Sequence, residues 1–214
     1  MKRRGWHFFC SDKKNSLNIM RGKMIRGTCK IISFLLMAVN VYSQNISFIS
    51  EKIEMTVNNS DFTVDGEYIF INENDRLAVT SLYYPFKITK DIKFPDSISI
   101  LDKKDYTIKY SRGKEGIFFT IKTLPKDTSS FKAFYRQEDS IPRAEYILTT
   151  TKDWNKPLQK AEYVIKLPIS LNLKYISFKP DSIELTPSFK TYYITKKNFM
   201  PKTNLIVEWE RSEK

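Results

Sequence analysis

One histidine and two cysteines are all that the 214 residues contain, and His7, Cys10 and Cys29 all stand before residue 44. The chain after Ser43 therefore offers no imidazole and no thiol. Ser-His-Asp triads, Cys-His dyads and zinc sites built on His and Cys are excluded there by inventory, and neither a cofactor nor a metal is expected. Disulfides are excluded too, so this part must hold itself together by its core, for which its length is ample. Glycine is scarce: Gly66, Gly113 and Gly116 are the only ones after residue 43. No segment there sustains a long 3.6-residue period, which argues against helical layers. Long apolar runs are also missing. Ile31 to Val41 interrupts itself with Ser33 and Asn40, well short of the roughly 20 apolar residues that a spanning helix needs, so no stable transmembrane span is expected.

That short run has a different meaning in its context. Met24–Ser43 reads as a basic head (Arg26, Lys30), an apolar centre and a small-residue exit, Val41-Tyr42-Ser43. This is the order of a secretory signal peptide. Cleavage near Ser43 and export to the periplasm or cell surface are expected; an uncleaved anchor and a buried core segment are the alternatives. Residues 1–23 sit awkwardly ahead of such a signal and read as disordered or as the product of an upstream start, with Met20 and Met24 as internal starts. The formal charge of +12 is concentrated in this region. Nine of the 36 basic residues and one of the 24 acids lie in residues 1–43, leaving 27 and 23, about +4, for the rest. Such a balance makes no electrostatic footprint for nucleic acid.

From residue 45 onward, aromatic and β-branched residues alternate with polar ones in short runs separated by turn formers. Phe62, Val64, Tyr68 and Phe70 share one face of a strand whose other face carries Thr63, Asp65 and Glu67. The same pattern predicts strands over 46–57, 62–71, 77–86, 97–100, 106–110, 117–124 and 130–136. Beyond a polar seam at 137–143 it predicts 145–151, 161–167, 174–179, 183–185, 191–195 and 205–210. In 161–167 the inward set is Tyr163, Ile165 and Leu167, and the outward set Glu162 and Lys166. Residues 152–160 read as a loop with room for one helical turn. Turns every 8–12 residues point to an all-β, antiparallel β-sandwich fold of immunoglobulin-like kind. Two small sandwiches, 44–140 and 141–214, are expected after the signal peptide.

Two stretches carry a resemblance. Val64-Asp65-Gly66-Glu67-Tyr68-Ile69-Phe70 with Tyr84-Pro85-Phe86 is one. Tyr146–Thr151 followed by Trp154, Pro157-Leu158, Ala161-Glu162-Tyr163 and Leu167-Pro168 is the other. Together they resemble exported bacterial β-sandwich families of unknown function. The resemblance implies fold and export and carries no site.

Candidate sites come from residue types. Tyr83-Tyr84, Tyr192-Tyr193 and Trp154 suggest a stacking platform for a glycan or an anchor for a protein partner, with Trp154, Tyr84 and Tyr193 as the contact residues. Adjacent tyrosines in a strand point to opposite faces, so one of each pair should be buried. Glu67, Glu145 and Glu162 occupy polar-facing strand positions and are the candidates for carboxylate-based glycan chemistry. The triplets that begin Asp96-Ser97, Asp139-Ser140 and Asp181-Ser182 resemble an O-glycosylation signal at Ser97, Ser140 and Ser182. The oxygen-rich turns 58–61 and 72–75 lie at opposite ends of one strand and cannot form a single calcium site. The favoured reading is a non-catalytic exported protein that binds or scaffolds. An envelope assembly or chaperone-like factor that pairs a sheet edge with a client strand is the runner-up, and a glycan-active enzyme comes third.

Overall fold

The computed structural model describes residues 46–211. The upstream stretch 1–23 and the signal peptide 24–43 lie outside the described residues. The described chain is nearly all β. Its strands are β1 (Ile46–Val57), β2 (Asp61–Asn72), β3 (Ala78–Pro85), β4 (Ser97–Asp102), β5 (Ser111–Arg112), β6 (Gly116–Thr123), β7 (Thr128–Glu138), β8 (Arg143–Tyr146), β9 (Leu158–Pro168), β10 (Leu171–Ile176), β11 (Ser182–Leu185), β12 (Phe189–Phe199) and β13 (Leu205–Arg211). A 3-10 helix, Thr149–Trp154, separates β8 from β9. Seven strands form one open sheet in the order β11-β12-β9-β1-β2-β7-β4, and two three-stranded sheets run β10-β13-β8 and β3-β6-β5. Among the described residues no helix is long and apolar enough to cross a membrane.

The large sheet grows from the β1–β2 hairpin. Its turn is closed by Asn58, whose backbone N–H donates to the Asp61 carbonyl at 2.9 Å and whose Nδ2 donates to Asp61 Oδ1 at 2.6 Å. Asn and Ser tolerate the tight backbone and bond it locally, which is why they stand there. Strict alternation then gives β2 one dry face: Phe62, Val64, Tyr68 and Phe70 are buried while Asp65 and Glu67 are exposed. β1 presents Ile53, Met55 and Val57 to the same side.

Among the described residues every strand pairing is antiparallel except one. β9 lies parallel to β1, with Ile53 opposite Tyr163 and Met55 opposite Ile165. A parallel neighbour needs a long crossover, and here it takes up everything from β2 to the 3-10 helix. The seven-stranded sheet thus draws strands from both sides of Ile141, the expected division between two sandwiches, and the described residues form one compact unit. The polar seam at 137–143 is no linker. Gln137 and Glu138 end β7 against β2. Gln137 is fully buried, its amide donating to the carbonyls of Lys87 and Lys93 at 2.6 Å each.

Both small sheets lie on the dry face of the large one. Phe119 of β6 meets Phe131 of β7 edge-on at 4.9 Å, and Phe86, just past β3, meets Tyr135 of β7 at the same distance. Farther along the same face Phe178, just past β10, stacks on Tyr163 of β9 at 6.0 Å. Tyr163, Ile165 and Leu167 are fully buried, as the alternation requires, and Glu162 and Lys166 are half-exposed on the opposite face.

Two expected strands fail for identifiable reasons. Residues 106–110 alternate in sequence, yet they hang from the rim of β4 by the Asp102 N–H to Tyr106 carbonyl bond and the Ile108 N–H to Ile100 carbonyl bond, and only Ile108 is even half-buried. Ile108 alone packs against the core, and the other four residues are exposed. The run 145–151 leaves the sheet after Tyr146 because Asn204 Oδ1 accepts from the backbone N–H groups of Leu148 and Thr149, at 3.1 and 3.2 Å. Those amides are then free of any strand partner, and the β-branched threonines coil into the 3-10 helix. Asn155 ends it with a left-handed backbone, φ 55°, and an N–H bond to the Lys152 carbonyl at 3.0 Å, a residue type that accepts that conformation.

Candidate binding site

The three sheets meet at a knot of phenols. Tyr68 stands on β2 of the large sheet, Tyr84 on β3 and Tyr146 on β8. The Tyr68 hydroxyl lies 2.6 Å from that of Tyr84 and 2.7 Å from that of Tyr146. All three residues are buried. Three hydroxyls carry three protons, and two mutual bonds use two of them, so one phenol proton always remains to be donated elsewhere. Burial pushes all three phenols well above their ordinary range, so they stay protonated. Gly66 makes the arrangement possible, since a Cβ there would fall 2.3 Å from the Tyr68 oxygen.

Glu51 shares this space. It follows the bulge in β1 between Phe48 and Ser50 and lies directly opposite Tyr68, on the face that Ile53, Met55 and Val57 fill with hydrocarbon. Only 4% of it is exposed. Tyr163 donates to its Oε1 at 2.7 Å, and among the described residues no cation pairs with it. Burial pushes the carboxyl up to about 7, the Tyr163 bond pulling the other way. A carboxylate in apolar surroundings without a counterion behaves in this manner.

Glu51, Tyr68, Tyr84 and Tyr146 line a partly open cavity of about 70 Å³, walled by Phe48, Phe70, Leu82, Phe119 and Phe131 and bordered by Thr150, Thr151 and Trp154 of the 3-10 helix. The volume is enough for a few water molecules or one small polar head group. Trp154 is half-buried and rests on Phe48 and Phe70 at 6.0 and 5.3 Å between ring centres. The Asn204 clip on the start of the helix and the Asn155 turn at its end fix Trp154 at the rim.

Of the residues named from sequence, Trp154 and Tyr84 come together here, although they lie far apart in the chain. Tyr193 does not join them. It is on the outer face of β12, its hydroxyl donating to Glu184 Oε2 at 2.6 Å, while Tyr192 is buried on the core side. Ser97, Ser140 and Ser182 are all exposed, the first and last at strand starts; the Ser140 hydroxyl donates to the Asp91 carbonyl at 3.2 Å.

The three glutamates do not converge. Glu67 and Glu162 face solvent on either side of Lys52, one on β2 and one on β9. Glu145 is not polar-facing as expected: it is 6% exposed and held by Asn204 Nδ2 at 2.8 Å, Arg143 at 3.2 Å and Lys87 at 3.4 Å. Burial works to raise its carboxyl, but Asn204, Lys87 and Arg143 leave it below the ordinary value. Among the described residues no group of three or more His, Cys, Asp or Glu is placed to hold a metal ion.

A second hollow, about 360 Å³, is open to solvent between Ser60, Asp61, Lys93, Arg136 and Glu138 to Ser140. Its cations are already engaged, Lys93 with Glu138 at 2.9 Å and Arg136 with Asp96 and Asp61. Burial, with Asp61 nearby, pushes Asp139 up to about 7.

Sequence reasoning missed Glu51, Tyr68 and Tyr146 as a group. The signal for Glu51 was present, because stepping back by two from Val57, Met55 and Ile53 lands an acid on the apolar face.

No family model matches the chain, and no curated protein matches it. The fold does match solved structures. A protein of Legionella pneumophila named as a putative nutrient binding protein superimposes with a TM-score of 0.64 at 15% identity, over 77% of this chain and 66% of that one. An M1 zinc metallopeptidase from Deinococcus radiodurans gives 0.49 at 10% identity, over 77% of this chain and 42% of that one. A two-domain M1 zinc metallopeptidase mutant bound to L-arginine gives 0.47 at 11%, over 76% and 42%. The chain spans about two fifths of these peptidases and just under two thirds of the Legionella protein. At these identities the likeness is one of fold, and nothing about zinc or peptide hydrolysis is carried from the peptidases.

Proposed function

We propose that this protein is a non-catalytic binding protein, exported to the periplasm or cell surface, whose site is the cavity where the three sheets meet. The observation that carries the reading is Glu51, a buried carboxyl with no counterion among the described residues, facing a cavity with aromatic walls. Burying such a group unpaired costs several kcal/mol, on the order of 1–3 even for a neutral polar group, and a ligand that pairs with it recovers part of that cost. The two layers serve as an open sandwich that fixes the cavity walls, and the 3-10 helix presents Trp154 at the entrance as a stacking surface. The Legionella neighbour, named for nutrient binding, is consistent with a small-molecule ligand. For acid–base catalysis, two carboxyls with separated pKa values should converge in a cleft, and Glu67, Glu145 and Glu162 do not. The test is a thermal-shift screen of residues 44–214 against small amines, carboxylic acids and sugars, repeated with Trp154→Ala. A stabilising class whose effect shrinks in the variant is expected. A glycan turned over by the protein, with turnover abolished by a Glu67, Glu145 or Glu162 substitution, would overturn the reading.

A second reading, pairing with a client strand, draws on the outer edge of β11. Thr186 donates to the Phe189 carbonyl at 2.9 Å, and hydrogen-bonded pairs alternate along a hairpin, so the backbone groups of Ile183 and Leu185 point away from β12. Their side chains are 58% and 69% exposed. Pro180 and Pro187 bracket the edge and keep it short, a usual guard against uncontrolled pairing. Ile183→Lys should abolish any client pairing at this edge without changing ligand binding at Glu51.

A further inference from the structure

Resting on the proposal that the cavity binds a small molecule, we propose that its ligand enters as a primary alkylammonium head group, paired with Glu51 and hydrogen-bonded to the phenol oxygens of Tyr68, Tyr84 and Tyr146. The inventory of the cavity leads there. It holds one ionisable carboxyl and, among the described residues, no cation within pairing distance of it. An anion would meet no positive charge and a like charge at Glu51. A neutral alcohol would satisfy one or two hydrogen bonds and leave the carboxylate without its counter-charge. A primary ammonium carries three N–H donors and no acceptor, and the cavity supplies acceptors to match: the carboxylate, which can also take the one spare phenol proton, and the lone pairs of three phenol oxygens, two of whose three protons are committed to one another.

The walls agree with the floor. Tyr68 and Phe131 stack at 4.6 Å, Phe48 and Phe70 stack at 4.9 Å, and Trp154 stands over Phe70. These rings give the cavity apolar walls, with Thr150, Thr151 and Trp154 of the 3-10 helix at its border. A cavity of about 70 Å³ admits the head of an amine while its alkyl chain passes Trp154 toward solvent. A quaternary ammonium is bulkier and has no N–H to give.

Proton linkage supplies an independent handle. The titratable groups facing Glu51 are Tyr68 on β2, Tyr84 on β3, Tyr146 on β8 and Tyr163 on β9, with Tyr135 of β7 behind them, and burial keeps every one of these phenols protonated across the neutral range. Among the groups that face the cavity, Glu51, pushed up to about 7, is the one whose charge changes there. An alkylammonium stays charged throughout. Its affinity should therefore rise with pH up to about 7 and level off, falling by about tenfold per pH unit below that point.

Isothermal titration calorimetry on residues 44–214 tests this with n-butylammonium, n-butanol, butyrate, tetramethylammonium and ammonium chloride as probes, at pH 5.5 and 8. Butylammonium should bind more tightly than every other probe, more tightly at pH 8 than at 5.5, and Glu51→Gln should weaken it by about thirtyfold or more at pH 8 while removing the pH dependence. Gln preserves the shape of the neutral acid, and the pH profile of the unaltered protein stands without the variant. Equal binding of n-butanol, or tighter binding of tetramethylammonium or butyrate, overturns the ammonium assignment and leaves the cavity as a binding site. Equal binding of ammonium chloride overturns the alkyl part and assigns the site to the inorganic ion. If none of the five binds and the wider thermal-shift screen is also blank, both this inference and the binding reading fall.

Discussion

A methyl group on Gly66 would sit 2.3 Å from the Tyr68 hydroxyl oxygen and 2.7 Å from two carbons of its ring. Gly66→Ala should therefore displace Tyr68 and cost about 1–3 kcal/mol through overpacking. Chemical denaturation reads the loss, and calorimetry with the tightest ligand of the screen should show binding fall with it. Unchanged stability would mean that Tyr68 has room to spare. Glu51 sets a second expectation. Its ordinary value of 4.5 is raised to about 7 in the folded protein, so between those values the native state keeps a proton that the unfolded chain has released. Stability should fall as pH rises through that window, by at most about 3–4 kcal/mol from this group. Asp139, also raised to about 7, acts in the same direction but is half in solvent and contributes less. Urea midpoints at pH 5 and 8 should differ in the unaltered protein and draw closer in Glu51→Gln; parallel behaviour of the two proteins would place Glu51 in a wetter setting. Single residues were only half legible in the sequence. Trp154 and Tyr84 stood out as aromatics in a loop and a strand end, whereas Glu51, in step with Ile53, Met55 and Val57 on the apolar face, is an acid, a residue type that ordinarily marks the wet face.

Strands were the most legible level, and the reason is the period of two. β1 occupies the predicted residues to the end, and the inward set of β9 is the predicted one, because each strand has one face in hydrocarbon and one in water. Ile165→Ala should accordingly cost about 2–5 kcal/mol. Glu162→Ala, on the wet face with only the Lys160 ion pair at 2.8 Å to lose, should stay within about 0.5 kcal/mol. Equal costs in denaturation experiments would mean a shifted register. Alternation alone misled at 106–110, where a clean pattern meets the core only at Ile108, and at 145–151, where Asn204 takes the amides that a strand would have used. Side-chain acceptors far along the chain leave no trace in a local pattern.

At the scale of the molecule, the hairpin grammar of the sequence could not announce the parallel pairing of β1 with β9, which joins residues more than a hundred positions apart. That pairing carries the large sheet across the expected division at Ile141 and brings Tyr163 beside β1, where its hydroxyl meets Glu51. The candidate site is a product of this long-range step. Each of its phenols belongs to a different sheet, so no stretch of sequence contains it. Export makes a separate expectation, for residues outside the described ones: intact-mass measurement of the secreted protein should show a chain beginning at or within a residue or two of Gln44, and a mass that retains residues 24–43 would instead favour an anchored form. The most direct test of the binding site is a crystal structure of residues 44–214 with the tightest ligand of the screen. The ligand's polar head should lie within hydrogen-bonding reach of Glu51 and the Tyr68 hydroxyl, beneath Trp154. A ligand seated anywhere else, with only water in the cavity, would contradict the proposal.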